Sequence, residues 1–192
     1  MSTDGENILK LVQQMRQLCQ QTALFLRTAD EQMKKKGWIS NNTALAEKSG
    51  NILSPENWIP IMAFQYYTND KHSNCLPYVS VLLDSHWTEK YTIKEPLITA
   101  GFFDYGKEEA GDNWEYTYFR YFGYLSKKHN LTPDGQHFHF DTKMIPASLI
   151  GKFKNTFETG AVFALPLTSI TNASEVESKI TNTLLELLDK LN

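Results

Sequence analysis

The alternation of apolar and polar positions divides the chain into a long helix, a strand-rich middle and a second helix. Between residues 5 and 36 one stripe recurs at Ile8, Leu11, Val12, Met15, Leu18, Cys19, Thr22, Phe25, Leu26, Ala29 and Met33. This three-and-four spacing marks one face of an α-helix. Lys34, Lys35 and Lys36 stand where cations suit the helix dipole, and Gly37 is placed to cap the last turn. At 1.5 Å per residue such a helix is about 45 Å long. That is long for a chain of 192 residues. It is therefore expected to extend past the sheet and pair with another helix, either in this chain or in a second copy, the latter giving a homodimer through the N-terminal helix.

Residues 37–60 read as irregular, with Ser54 and Pro55 opening a single helical turn. Apolar and alternating runs then recur between turn signals. They are Ile61 to Thr68, Pro77 to Asp84, an edge piece Lys90 to Lys94, Leu97 to Tyr105, Trp114 to Leu125, Gln136 to Asp141 and Ala161 to Leu167. Pro166 marks the last run as an edge strand or as ending there. Pro146 to Phe157 reads as a short helix. Such spacing predicts an antiparallel meander rather than βαβ units. Ser174 and Glu177 form a capping-box pattern ahead of Val176, Ile180, Leu184, Leu187, Leu188 and Leu191. The expected fold is a single α+β domain over 1–192. Its sheet is an antiparallel meander of about five to six strands within 61–167, packed by the 5–36 helix and a C-terminal helix over 174–191.

The centre of this picture is a hairpin of Leu97–Tyr105 with Trp114–Leu125. Ten of the 24 aromatic residues fall between Phe102 and Tyr124. Along the second strand Trp114, Tyr116, Tyr118, Arg120, Phe122 and Tyr124 share one face. Arg120 is one of three arginines, and a guanidinium among rings can stack on them and pair with an anion. This face, with Arg120, Tyr118, Tyr116, Trp114 and Tyr124, is the expected contact surface for a ligand or partner. The plainer alternative is a wet, Tyr-rich sheet surface with a structural ion pair. Pairing across the hairpin also sets Asp104 opposite Glu115, at its solvated end.

Charge and composition narrow the functional classes. Apolar residues make up 41% of the chain and the net charge is −3. The three arginines (Arg16, Arg27, Arg120) stand against 16 lysines, which argues against nucleic-acid recognition. Cys19 and Cys75 have no metal-type spacing and read as free thiols of a reducing compartment. The start carries no signal-peptide pattern and no run reaches a membrane span, so a cytoplasmic location is expected. No nucleophile elbow or Gly-rich phosphate loop is present.

One motif keeps an enzymatic alternative open. In His137-Phe138-His139-Phe140-Asp141 a strand would project both imidazoles and the carboxylate from one face. His and Asp suit zinc or manganese, and His129 and Asp134 lie close enough in sequence to add ligands. The plainer alternative is the polar outside of a half-buried strand. Pro133-Asp134 followed by Asp141-Thr142-Lys143 also resembles the Pro-Asp…Asp/Glu-x-Lys order of a large nuclease superfamily. Its spacing is short for that pattern, and no αβββαβ context surrounds it. The expected function is thus a cytoplasmic, non-enzymatic binding or regulatory protein using the Arg120 face. The alternative is a metal-dependent hydrolase or nuclease using His137, His139 and Asp141.

Overall fold

Helix α1 runs from Asp4 to Lys35. It ends where the lysines and the glycine predict. Gly37 takes φ +82°, its N–H donates to the Lys34 carbonyl, and the Trp38 N–H reaches back to the Met33 carbonyl. This paired ending satisfies carbonyls that a helix otherwise leaves open. Met33 and Trp38, at 0% and 5% exposure, bury together beneath it. The structure, a computed structural model, describes residues 4–46, 60, 62–83, 93–106, 128–144 and 157–190.

Six strands form one antiparallel sheet. They are β1 (Ile39–Ala46), β2 (Met62–Thr68), β3 (Cys75–Leu82), β4 (Leu97–Asp104), β5 (Phe138–Asp141) and β6 (Thr159–Pro166), in the order β1-β2-β3-β4-β6-β5. The first four make the expected meander, and β6 then enters between β4 and β5. The C-terminal helix comprises α2 (Ala173–Val176), a π-helical turn (Glu177–Thr181) and α3 (Asn182–Asp189). The architecture is α+β, with both helices laid on one face of the sheet. No helix among the described residues is long and apolar enough to cross a membrane.

Both faces of the sheet are buried at its centre. β3 is buried throughout, and β4 from Leu97 to Phe103. Alternate residues serve different layers. Ala63, Tyr67, Val79, Val81, Ile98, Ala100, Phe102, Ala161 and Phe163 meet the helices. Phe64, Leu76, Tyr78, Leu97, Phe103, Val162 and Phe140 form a second core on the other face. Near-continuous apolar strands are what a sheet covered on both sides requires. Within that second core Ser80 and Thr99 face each other across the β3–β4 pair and share a hydrogen bond of 2.6 Å. Burial pushes the Tyr78 phenol up, and its hydrogen bond to Thr99 works against that shift.

Three expectations need correction. The expected central hairpin pairs Leu97–Tyr105 with Trp114–Leu125, but both edges of β4 are taken, by β3 on one side and β6 on the other; residues 114–125 lie outside the described residues. Residues 37–60 are not wholly irregular: β1 pairs with β2 and steps over a bulge between Ser40 and Asn42. A polar, bulged edge strand carries little of the alternation that reveals strands. Pro166 ends β6, one of the two outcomes expected of it, and β6 itself lies between β4 and β5. The C-terminal helix starts two residues early, with Asn172 accepting from the Glu175 N–H and Glu175 accepting from Thr171. The expected pieces at 54–58 and 146–156, and most of the 90–94 piece, lie outside the described residues.

One position in β4 admits no side chain. A Cβ on Gly101 would stand 2.1 Å from the Ala161 carbonyl oxygen of β6, so the two backbones are in contact there. At Gly5 on α1 a Cβ would meet nothing within 4 Å. Gly101→Ala is expected to lower stability by about 1–3 kcal/mol in urea unfolding. Gly5→Ala is expected to raise it by about 0.5–1 kcal/mol.

Candidate functional site

The aromatic face cannot be placed on this frame: Trp114, Tyr116, Tyr118, Arg120 and Tyr124 lie outside the described residues. Asp104, the other half of the expected acid pair, does have a structural role. It stands opposite Cys75 and Thr159 in its two ladders. Its Oδ1 accepts from the Asn74 side chain and from the Gly106 N–H, both at 2.9 Å. Burial first and the Asp104 charge second push the Cys75 thiol up. Cys75 is a buried free thiol and Cys19 an exposed one.

Phe138–Asp141 of the His-Phe-His-Phe-Asp motif form a strand, as its alternation predicts, and that strand lies at the sheet edge. Phe138 and Phe140 pack toward the second core, while His139 pairs with Ala161 on the helix-facing side. The His137 and His139 rings lie edge to face with centroids 5.3 Å apart. His139 and Asp141 border a shallow depression of about 370 Å³. Asp141 Oδ1 accepts from the Met144 N–H at 3.1 Å and so caps the short turn that follows β5. The two further candidates do not join them. His129 packs against Phe138, with centroids 4.8 Å apart, on the opposite layer from His139. Asp134 accepts from the Thr132 hydroxyl and the Gln136 N–H, which hold its carboxyl below the usual range. Among the described residues no group of three or more His, Cys, Asp or Glu side chains is placed to hold a metal ion.

A pocket beneath α1 escaped the sequence reading. It has a volume of about 460 Å³ and lies between the helix and the β1–β2 side of the sheet. Leu26, Ala63 and Leu83 contribute apolar wall, and Thr22, Asp30 and Gln65 contribute polar groups. Thr22 is 4% exposed, and its hydroxyl has no hydrogen-bond partner among the described residues. Asp30 divides its carboxylate. Oδ2 accepts from Lys34 Nζ at 2.6 Å, while Oδ1 is buried without a donor. The Tyr67 hydroxyl is also buried without a partner. Burial, and secondarily the charge of Asp30, push its phenol far up. Thr22 fits the apolar stripe of α1, so periodicity hides its hydroxyl. A larger cleft of about 650 Å³ near the β2–β3 turn is walled mainly by exposed residues of both charge signs, among them Lys71, Asp70, Glu186 and Asp189.

His139 is held below the usual histidine range by burial, then by the charge of His137 and then by that of Lys190. Its resonance is expected to titrate below about 6.5 in NMR, and His137→Gln to move that titration upward. The unfolded chain takes up this proton first, so acidification below about pH 6.5 costs stability until His139 itself is protonated. His139→Gln is expected to remove that part of the acid sensitivity in thermal melts. Comparisons with models of known protein families, with characterised proteins and with solved structures returned no match.

Proposed function

We propose that this chain is a non-enzymatic binding or regulatory protein that acts as a pair of copies joined through α1, with the aromatic face around Arg120 as its contact for a ligand or partner. The observation that carries the reading is the unequal burial of α1. Its buried side chains are Thr22, Phe25, Leu26, Ala29 and Met33. From Asp4 to Gln21 none is buried, and Met15 and Leu18 are half-buried. Ile8 and Leu11 are 63% and 65% exposed, and Leu9 and Val12 are exposed beside them.

The stripe keeps its register across the boundary. Ile8, Leu11, Met15, Leu18, Thr22, Phe25 and Ala29 alternate steps of three and four, the spacing of a two-helix seam. The sheet takes the second half of this seam and leaves roughly 27 Å of the first half at 1.5 Å per residue. A second copy presents the same half-seam, so an antiparallel pair matches apolar positions on both sides. Lys10 and Arg16 lie off the seam, and self-pairing sets no like charges against each other there. Support for the Arg120 face is its alternation in sequence: three tyrosines and a tryptophan flank one of three arginines.

A second reading, a hydrolase or nuclease using zinc or manganese at His137, His139 and Asp141, is favoured by one observation. The two imidazoles are adjacent, and partial burial with the charge of His137 shifts His139 toward the neutral form that binds metal. Asp141 has already committed one oxygen to the Met144 N–H.

Light scattering is expected to give the mass of a dimer for the wild type and of a monomer for Leu11→Glu, at unchanged thermal stability of the sheet. A wild-type monomer at high concentration removes the pairing. Arg120→Ala and Tyr118→Ala are expected to lose a partner that the wild type retains; equal retention by all three rules out the aromatic face. Under the second reading Zn²⁺ raises the Tm of the wild type but not of the His137→Ala/His139→Ala double variant. An equal response excludes that reading.

A further inference from the structure

The geometry points to the pocket beneath α1 as a binding site for a small, uncharged and mostly apolar molecule that carries a hydroxyl or amide N–H group. Three features define what fits. The volume, about 460 Å³, lies within the roughly 300–1,000 Å³ of small-molecule sites. The wall contributed by Leu26, Ala63 and Leu83 is apolar. One side is polar, and two of its groups have no hydrogen-bond partner among the described residues.

That incompleteness is the argument. Buried polar groups in folded proteins are nearly all hydrogen-bonded, so each orphan calls for an explanation. Here two orphans line one cavity: Thr22 Oγ1 and Asp30 Oδ1. The Tyr67 hydroxyl, close enough to Asp30 to feel its charge, is a third. Ser40, which lies in the cavity wall, pairs with Tyr67 in the β1–β2 ladder. Thr22 is more than nine-tenths buried, so bulk water does not serve it. The carboxylate oxygen accepts, whereas the two hydroxyls donate or accept. Thr22 and Asp30 stand eight residues apart on α1, about 12 Å at 1.5 Å per residue, so one ligand group meets one of them. A hydroxyl donates to Asp30 or pairs with Thr22, and an amide N–H, which only donates, serves either oxygen.

Charge excludes the other head groups. Asp30 is already matched by Lys34 at 2.6 Å, and Arg27 lies in the same wall. A cationic ligand would compete with Lys34 for Asp30 and share the wall with the exposed Arg27. An anionic ligand would meet the buried oxygen of Asp30. The neutral head is the one that gains hydrogen bonds without adding an unpaired buried charge.

The test uses three molecules with one tail: hexan-1-ol, hexanoate and hexylamine. Cys19 lines the pocket and is exposed, while Cys75 is buried, so a thiol reagent in the folded protein reports on Cys19. Hexan-1-ol is expected to slow Cys19 modification and raise the Tm, with hexanoate and hexylamine weaker at equal concentration. Thr22→Val keeps the shape and deletes the hydroxyl; it is expected to weaken hexan-1-ol binding roughly fivefold to tenfold, the loss of one hydrogen bond. Ala63→Leu narrows the cavity and is expected to abolish protection. Equal responses to all three heads, an unchanged affinity in Thr22→Val, or no protection of Cys19 by hexan-1-ol would each overturn the proposal. Cys19 lies in the half of α1 proposed to pair, so its protection is measured in Leu11→Glu as well as in the wild type; protection by hexan-1-ol in both separates the pocket from pairing.

Discussion

The rest of the molecule depends on β4 being paired in register on both edges. Eight consecutive residues match β3 on one side and β6 on the other, and at Gly101 the backbones are too close for a side chain. Because strand side chains alternate with period two, a slip of one residue would exchange the two layers. Ile98, Ala100 and Phe102 would leave the helices, and Thr99 would be driven beneath them. The Ser80–Thr99 hydrogen bond is made in the native register and lost in the slipped one. The helices rest on this arrangement. Phe25, Ala29 and Met33 of α1, with Ile180, Leu184 and Leu187 of the C-terminal helix, cover the face that β4 centres.

A fold buried on both faces must settle its polar atoms, and this one does so unevenly. Carboxylates near the sheet ends work as local caps. Asp104 closes on Asn74 and Gly106, Asp134 on Thr132 and Gln136, and Asp141 on Met144. In the second core Ser80, Thr99 and Tyr78 satisfy one another. Beneath α1 the same settlement fails at Thr22, Asp30 and Tyr67. Unmet hydrogen bonds at one wall of a cavity are the observation on which the proposed ligand site rests. Acids that drew attention in the sequence thus serve structure, while a threonine inside an apolar stripe marks the more informative site.

How much was legible follows from the range of each signal. The α1 boundaries, the β2–β4 meander and the strand at Phe138 to Asp141 rest on local periodicity and local caps, and each is present. The partner of β4 was not legible that way. An aromatic run at 114–125 lies closer in sequence, yet β6, over fifty residues away, holds the edge. Contacts of that separation are decided by layer matching and by Gly101 against Ala161, not by neighbouring turn residues. β1 was missed because Asn41 and Asn42 read as loop and a bulge breaks its alternation. Pro77 is the converse case. A proline is tolerated in interior β3 because the β2–β3 ladder ends at Tyr78. The pocket was hidden because orphaned atoms are a property of packing and leave no pattern in sequence.

These strands meet in α1, one helix with two environments: a half seated on the sheet over the pocket, and a half whose seam is open. Hydrogen exchange along α1, followed by mass spectrometry at low and high protein concentration, tests that claim most directly. The account predicts that residues 22–35 are protected at both concentrations, and that residues 4–21 gain protection as concentration rises. Exchange in residues 4–21 that does not change with concentration would contradict it.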